Sequence, residues 1–104
     1  MKRNIIVNQI RNLMRQIAPT AQTILYGSEA RGDAREDSDI NLLILVDGDK
    51  MTIEQEAKIT EPLYELELKT GVLISPIVML KKQWQNRPYQ TPFSINIANE
   101  GIIL

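Results

Sequence analysis

The chain contains neither cysteine nor histidine. Without thiols there is no disulfide framework and no thiolate metal centre, and without imidazole the commonest base and metal ligand is missing. Any metal must therefore be held by oxygen. Excess positive charge is missing too, since 12 Lys and Arg stand against 13 Asp and Glu for a formal net charge of −1. That balance argues against binding of long DNA or RNA, which depends on basic surface. No apolar run approaches the roughly 18 residues that span a bilayer, and the start lacks the charged-then-apolar pattern of a leader. No membrane association and a cytoplasmic location are the resulting expectations.

What is present suits a folded domain. Hydrophobic residues make up 43% of the 104 positions and charged ones 24%, too apolar for disorder, and the length suits one compact domain over residues 1–104. Ile5, Ile6, Ile10, Leu13, Met14 and Ile17 recur at three-to-four-residue spacing, which predicts an amphipathic helix closed by Pro19. Thr23 to Tyr26 and Ile40 to Val46 read as two buried strands. Between them, residues 29–38 hold six charged residues and one glycine, which fits a helical turn and a loop.

Thr52 and Gln55 form a capping-box pattern, opening a helix that runs towards Gly71 and that Pro62 should bend or divide. Val72 to Met79 predicts a third strand, with Pro76 implying an edge position or a bulge. Lys81 to Trp84 suits a helical turn, and Thr91-Pro92 starts a last helix that Gly101 ends. The expected order is helix, strand, strand, helix, strand, helix, an α+β layer with a three-stranded mixed sheet.

The chemistry concentrates in Tyr26-Gly27-Ser28-Glu29-Ala30-Arg31-Gly32 and in Asp39-Ile40-Asn41, with ten residues between Ser28 and Asp39. A strand that ends in a small residue and turns into helix presents free backbone amides to an anion, and Gly27 with Ser28 sits at such a turn. Arg31, one turn along, is placed to meet a phosphate oxygen. Residues two apart on a strand share a face, so Asp39 and Asn41 offer two oxygen ligands on one side, an arrangement that suits Mg²⁺ beside a triphosphate. The plainer alternatives are a strand-to-helix turn without a ligand, a polar strand end, and a solvated Arg31. Asp37 to Asn41 also matches the opening of a calcium loop, but Leu42 and Gly48 occupy positions that need glycine and glutamate.

Glycine-serine, ten residues, then Asp39-x-Asn41 resembles the signature of the polymerase-beta-like nucleotidyltransferase superfamily, whose small antitoxin-like bacterial members are similar in length. The element order agrees, so the resemblance covers essentially the whole chain. It implies phosphate binding by Gly27, Ser28 and Arg31, and a catalytic, metal-binding role for Asp39 and Asn41. It also implies Mg²⁺ with a nucleoside triphosphate, most simply ATP, and transfer of AMP to a hydroxyl. The acceptor implied is a partner such as a toxin RNase or, alternatively, a small molecule. Two departures stand out: Asn41 replaces the second aspartate of that family, and no acid lies between Val72 and Met79 where a third is usual. A catalytically degenerate fold that acts by contact, as an antitoxin-like or regulatory subunit, is the alternative function. Trp84, Tyr89 and Phe93 are candidates either for stacking on a base or for closing the core. The apolar end Ile102-Ile103-Leu104 is a candidate for packing on the core or on a second subunit, as in a homo-oligomer.

Overall fold

The structure is a computed structural model and describes residues 2–104. Its helices are α1 (Lys2–Ile17), α2 (Ser28–Arg31), α3 (Ile53–Thr70), α4 (Lys81–Gln85) and α5 (Pro92–Glu100). The strands are β1 (Gln22–Tyr26), β2 (Ile40–Val46), β3 (Ile74–Leu80) and β4 (Ile102–Ile103), in spatial order β3-β2-β1-β4. β1 runs antiparallel to β2 and β4, whereas β3 runs parallel to β2. The α+β reading holds, with one correction. The sheet has four strands rather than three, because Ile102 and Ile103 pair with Leu25 and Ile24 instead of merely packing. Two residues are too few to show the alternation by which a strand is recognised in sequence.

Alternation along β2 divides the core into two layers. Ile40, Leu42 and Ile44 meet Ile6, Ile10 and Met14 of α1 and Ile59 and Leu63 of α3 on one face. Leu43 and Leu45 meet Ile24 and Ile97 on the other, where Tyr26, Met79, Trp84 and Phe93 close the cluster. The first face is covered by two long helices and the second only by the short α4 and α5. The second face therefore has the lighter helical cover, and Asn41 belongs to it by the same alternation.

Local signals placed the element ends well. Thr52 and Gln55 exchange the two capping-box bonds, at 3.1 and 2.9 Å, and Thr91 accepts from the Ser94 amide with Pro92 in the first turn. Pro76 lies on the edge strand β3, as a residue without an amide hydrogen requires. The expectation for Pro62 is corrected in part, because α3 continues undivided through it. Proline in a helix interior costs about 3 kcal/mol. Ile59 and Leu63, buried on either side of it, offset that cost through their packing. Trp84 and Phe93 take the core role: Phe93 stands edge-on to Tyr26 at 5.3 Å and to Trp84 at 6.0 Å, while Tyr89 is exposed. Among the described residues, no helix is long and apolar enough to cross a membrane.

Candidate active site

The parallel and antiparallel registers set Tyr26, Asn41 and Ser75 side by side across β1, β2 and β3. Asp39 lies immediately before β2, two residues from Asn41, and its Oδ2 accepts a hydrogen bond from the Ser75 hydroxyl at 2.9 Å. Ser75 was not singled out from the sequence. The usable signal was positional, since the expected third strand carries serine where an acid was sought. A hydroxyl there adds no charge, but it fixes one oxygen of Asp39 and leaves the other free.

Gly27 connects β1 to α2 with φ 82° and ψ −153°, a region that is essentially glycine-only. Glycine is also needed for space, because a Cβ at this position would stand 2.7 Å from Nδ2 of Asn41. The turn and the β2 amide thus pack directly against each other. Gly27→Ala is expected to lower the unfolding free energy by about 1–3 kcal/mol through backbone strain, and to displace Asn41 as well. Denaturant titration checks this, and an unchanged midpoint would contradict it.

After Gly27 the chain turns into α2, whose first amides have no partner within the helix. Arg31, in its last turn, pairs through Nη1 with both Glu100 oxygens at 3.2 Å and through Nε with Asp33 at 3.3 Å. Glu100 and then Asp33 hold its pKa above the ordinary guanidinium value. Glu100 also accepts the Gly27 amide at 3.3 Å, so a carboxylate from the end of α5 lies between the turn and the arginine. Amide and guanidinium together form a corner suited to an anion. Burial pushes the Tyr26 phenol up.

A buried ion pair supports this arrangement from below. The Arg3 side chain pairs with Glu29 of α2 and donates to the backbone oxygens of Glu36 at 3.1 Å and Ser38 at 2.6 Å. One guanidinium therefore fixes both the helix that follows Gly27 and the loop that delivers Asp39. It escaped the sequence reading, although Arg3 continues the stripe of Ile6, Ile10 and Met14, where a charge is out of place.

All five residues expected from sequence fall within this region: Gly27, Ser28 and Arg31 on the turn and α2, Asp39 and Asn41 at the start of β2. The structure adds Ser75, Glu100 and Arg3. A groove lies between α1 and α3, lined by Leu13, Pro62, Leu66 and Leu68 among others, and shares no residue with the site.

Comparison with known proteins identifies the family. A protein of Methanocaldococcus jannaschii, named provisionally as a protein adenylyltransferase, is 37% identical over 81 residues, which is 78% of this chain and 75% of its own. A solved structure described as a minimal nucleotidyltransferase has a TM-score of 0.64 at 23% identity, covering 97% of this chain and 94% of its own. A toxin–antitoxin crystal structure with AMP-PNP has a TM-score of 0.62 at 18% identity, covering 92% of this chain and 69% of its own. At such identities the two structures speak for the fold alone. The model of the nucleotidyltransferase domain matches residues 7–104, nearly the entire length, and with the archaeal relative it establishes that the chain belongs to the nucleotidyltransferase domain family.

Proposed function

We propose that the protein transfers AMP from Mg·ATP to a hydroxyl on a partner protein. The observation that carries this reading is the meeting of Asp39 with Asn41 and Ser75 across three strands, beside the Gly27 turn. The archaeal relative named as a protein adenylyltransferase supports both adenylyl transfer and a protein acceptor.

The donor set fits one Mg²⁺ shared with the triphosphate. Asp39 supplies a carboxylate oxygen outside its Ser75 bond and Asn41 a neutral amide oxygen, and Mg²⁺ accepts few protein ligands when phosphates and waters complete its shell. Among the described residues, no three carboxylates converge as a richer cage would require. The metal would neutralise charge on the phosphates and on the leaving pyrophosphate. Ser28, Gly27 and Arg31 would orient the β- and γ-phosphates, Arg31 having first exchanged Glu100 for phosphate. The acceptor oxygen forms a bond to the α-phosphorus, the bond from that phosphorus to the bridging oxygen breaks, pyrophosphate leaves and the hydroxyl proton passes to water. Most of the rate would come from positioning and charge stabilisation. Incubation with labelled ATP and Mg²⁺ beside co-purified partners should label one of them, and tight ATP binding without any labelled protein would count against transfer.

A second reading is favoured by a specific observation: Asn41 and Ser75 both stand where an acid would strengthen a metal site. In that reading the fold has lost catalysis and acts as a regulatory or antitoxin-like subunit by contact. Asn41→Asp separates the two, because it restores a negative charge to a site that binds a divalent cation. If the chain is an enzyme, calorimetry should show Mg²⁺-dependent ATP binding in the native protein, strengthened roughly tenfold by the substitution. Metal-dependent binding that appears only in the Asp variant would favour the contact reading.

A further inference from the structure

Glu100 is placed against its local rule. As the last residue of α5 it puts a carboxylate at the negative end of a helix, and the last turn has no basic residue to offset it. The compensation comes from across the fold, where the Gly27 amide and both Arg31 contacts lie 73 and 69 residues away in sequence. A local conflict satisfied only by a candidate site points to function at that site. The backbone here is held firmly. A Cβ on Gly101 would stand 2.5 Å from the Ile97 carbonyl and 2.8 Å from Cγ2 of Ile24, and the next residues pair with β1. The Glu100 side chain keeps 22% of its surface open, so it can rotate outwards while its backbone stays in place.

We propose that Glu100 is an internal occupant of the phosphate corner, a carboxylate plug that a polyphosphate must displace from Gly27 and Arg31 on binding. The proposal rests on the reading of that corner as a phosphate site. One amide and one guanidinium cannot serve two anions at once, so bound Glu100 reduces the population ready for ligand and weakens the apparent affinity by that fraction. The cost falls on any ligand whose phosphates occupy the corner, a nucleoside triphosphate or inorganic tripolyphosphate, and not on AMP, which has no β- or γ-phosphate to place there.

Calorimetric titration at one ionic strength, with Mg·ATP, AMP and inorganic tripolyphosphate, tests this on the native protein and on Glu100→Ala, Glu100→Gln and Arg31→Ala. Removing the plug should tighten ATP binding by about two- to fivefold. Glu100→Gln should fall between, because its amide oxygen still accepts from Gly27 but carries no charge. Tripolyphosphate should gain as ATP does, AMP should be unchanged, and Arg31→Ala should weaken ATP and tripolyphosphate. Equal or weaker binding in both Glu100 variants, at unchanged melting temperature, would overturn the plug while leaving the phosphate corner standing. Absence of ATP and tripolyphosphate binding in every form would remove the corner and the plug together. An amide NMR spectrum gives a second readout: tripolyphosphate must move the Gly27 resonance of the native protein, and binding that leaves it in place also overturns the proposal.

Discussion

Asp39→Ala is expected to abolish AMP transfer and the magnesium-dependent part of ATP affinity. Asp39 is the carboxylate of the proposed metal site, and its partner there, Asn41, is neutral. Metal stabilisation of transition-state charge is worth several kcal/mol, and at 1.36 kcal/mol per tenfold its loss corresponds to roughly a thousandfold in rate. Stability should change little, because Asp39 is only partly buried and its one side-chain partner, Ser75, can turn to water. Asp39→Asn refines the test, since it keeps an acceptor for the Ser75 hydroxyl and removes only the charge. Both variants should lose transfer equally if charge is the cause. Undiminished transfer by a folded Asp39→Ala protein would sink the assignment of this residue.

Arg3→Ala should damage the fold as severely as truncating a core residue. It would strand the Glu29 carboxylate, whose side chain is 9% exposed, and leave the carbonyls of Glu36 and Ser38 without their donor. Breaking one side of a buried ion pair typically costs about 3–5 kcal/mol. A domain of this length has about 5–15 kcal/mol of stability in total, so the loss is a large share. Removing both charges behaves differently, because two apolar side chains leave no buried ion unpaired. Arg3→Met with Glu29→Leu should therefore be more stable than Arg3→Met alone, a coupling that denaturant titration of the native protein, Arg3→Met, Glu29→Leu and the double variant would measure. If the single and double variants unfold at the same midpoint, the pair is not the cause. The double variant should still bind ATP less well than the native protein, since the backbone of Glu36 and Ser38 also loses its tie to α1, and that backbone delivers Asp39.

The sequence by itself determined the helices, the first three strands and the family motif. Those features are written in neighbouring residues: the spacing of Ile6, Ile10 and Met14, the capping pair Thr52 and Gln55, and the glycine-serine turn ten residues before Asp39. It also limited Pro76 to an edge position or a bulge, and the strand order decided for the edge. Tertiary structure alone decided which distant groups meet. Arg3 and Glu29 are 26 residues apart, Asp39 and Ser75 are 36 apart, and Gly27 and Glu100 are 73 apart. Each pair is made by strand register or helix packing, and no local period encodes it. The added strand β4 belongs to the same class, since two isoleucines become a strand only when β1 offers them a free edge. The motif named Gly27, Ser28, Arg31, Asp39 and Asn41 as candidates, and the fold decided that Ser75 bonds to Asp39 and that Glu100 sits between Gly27 and Arg31.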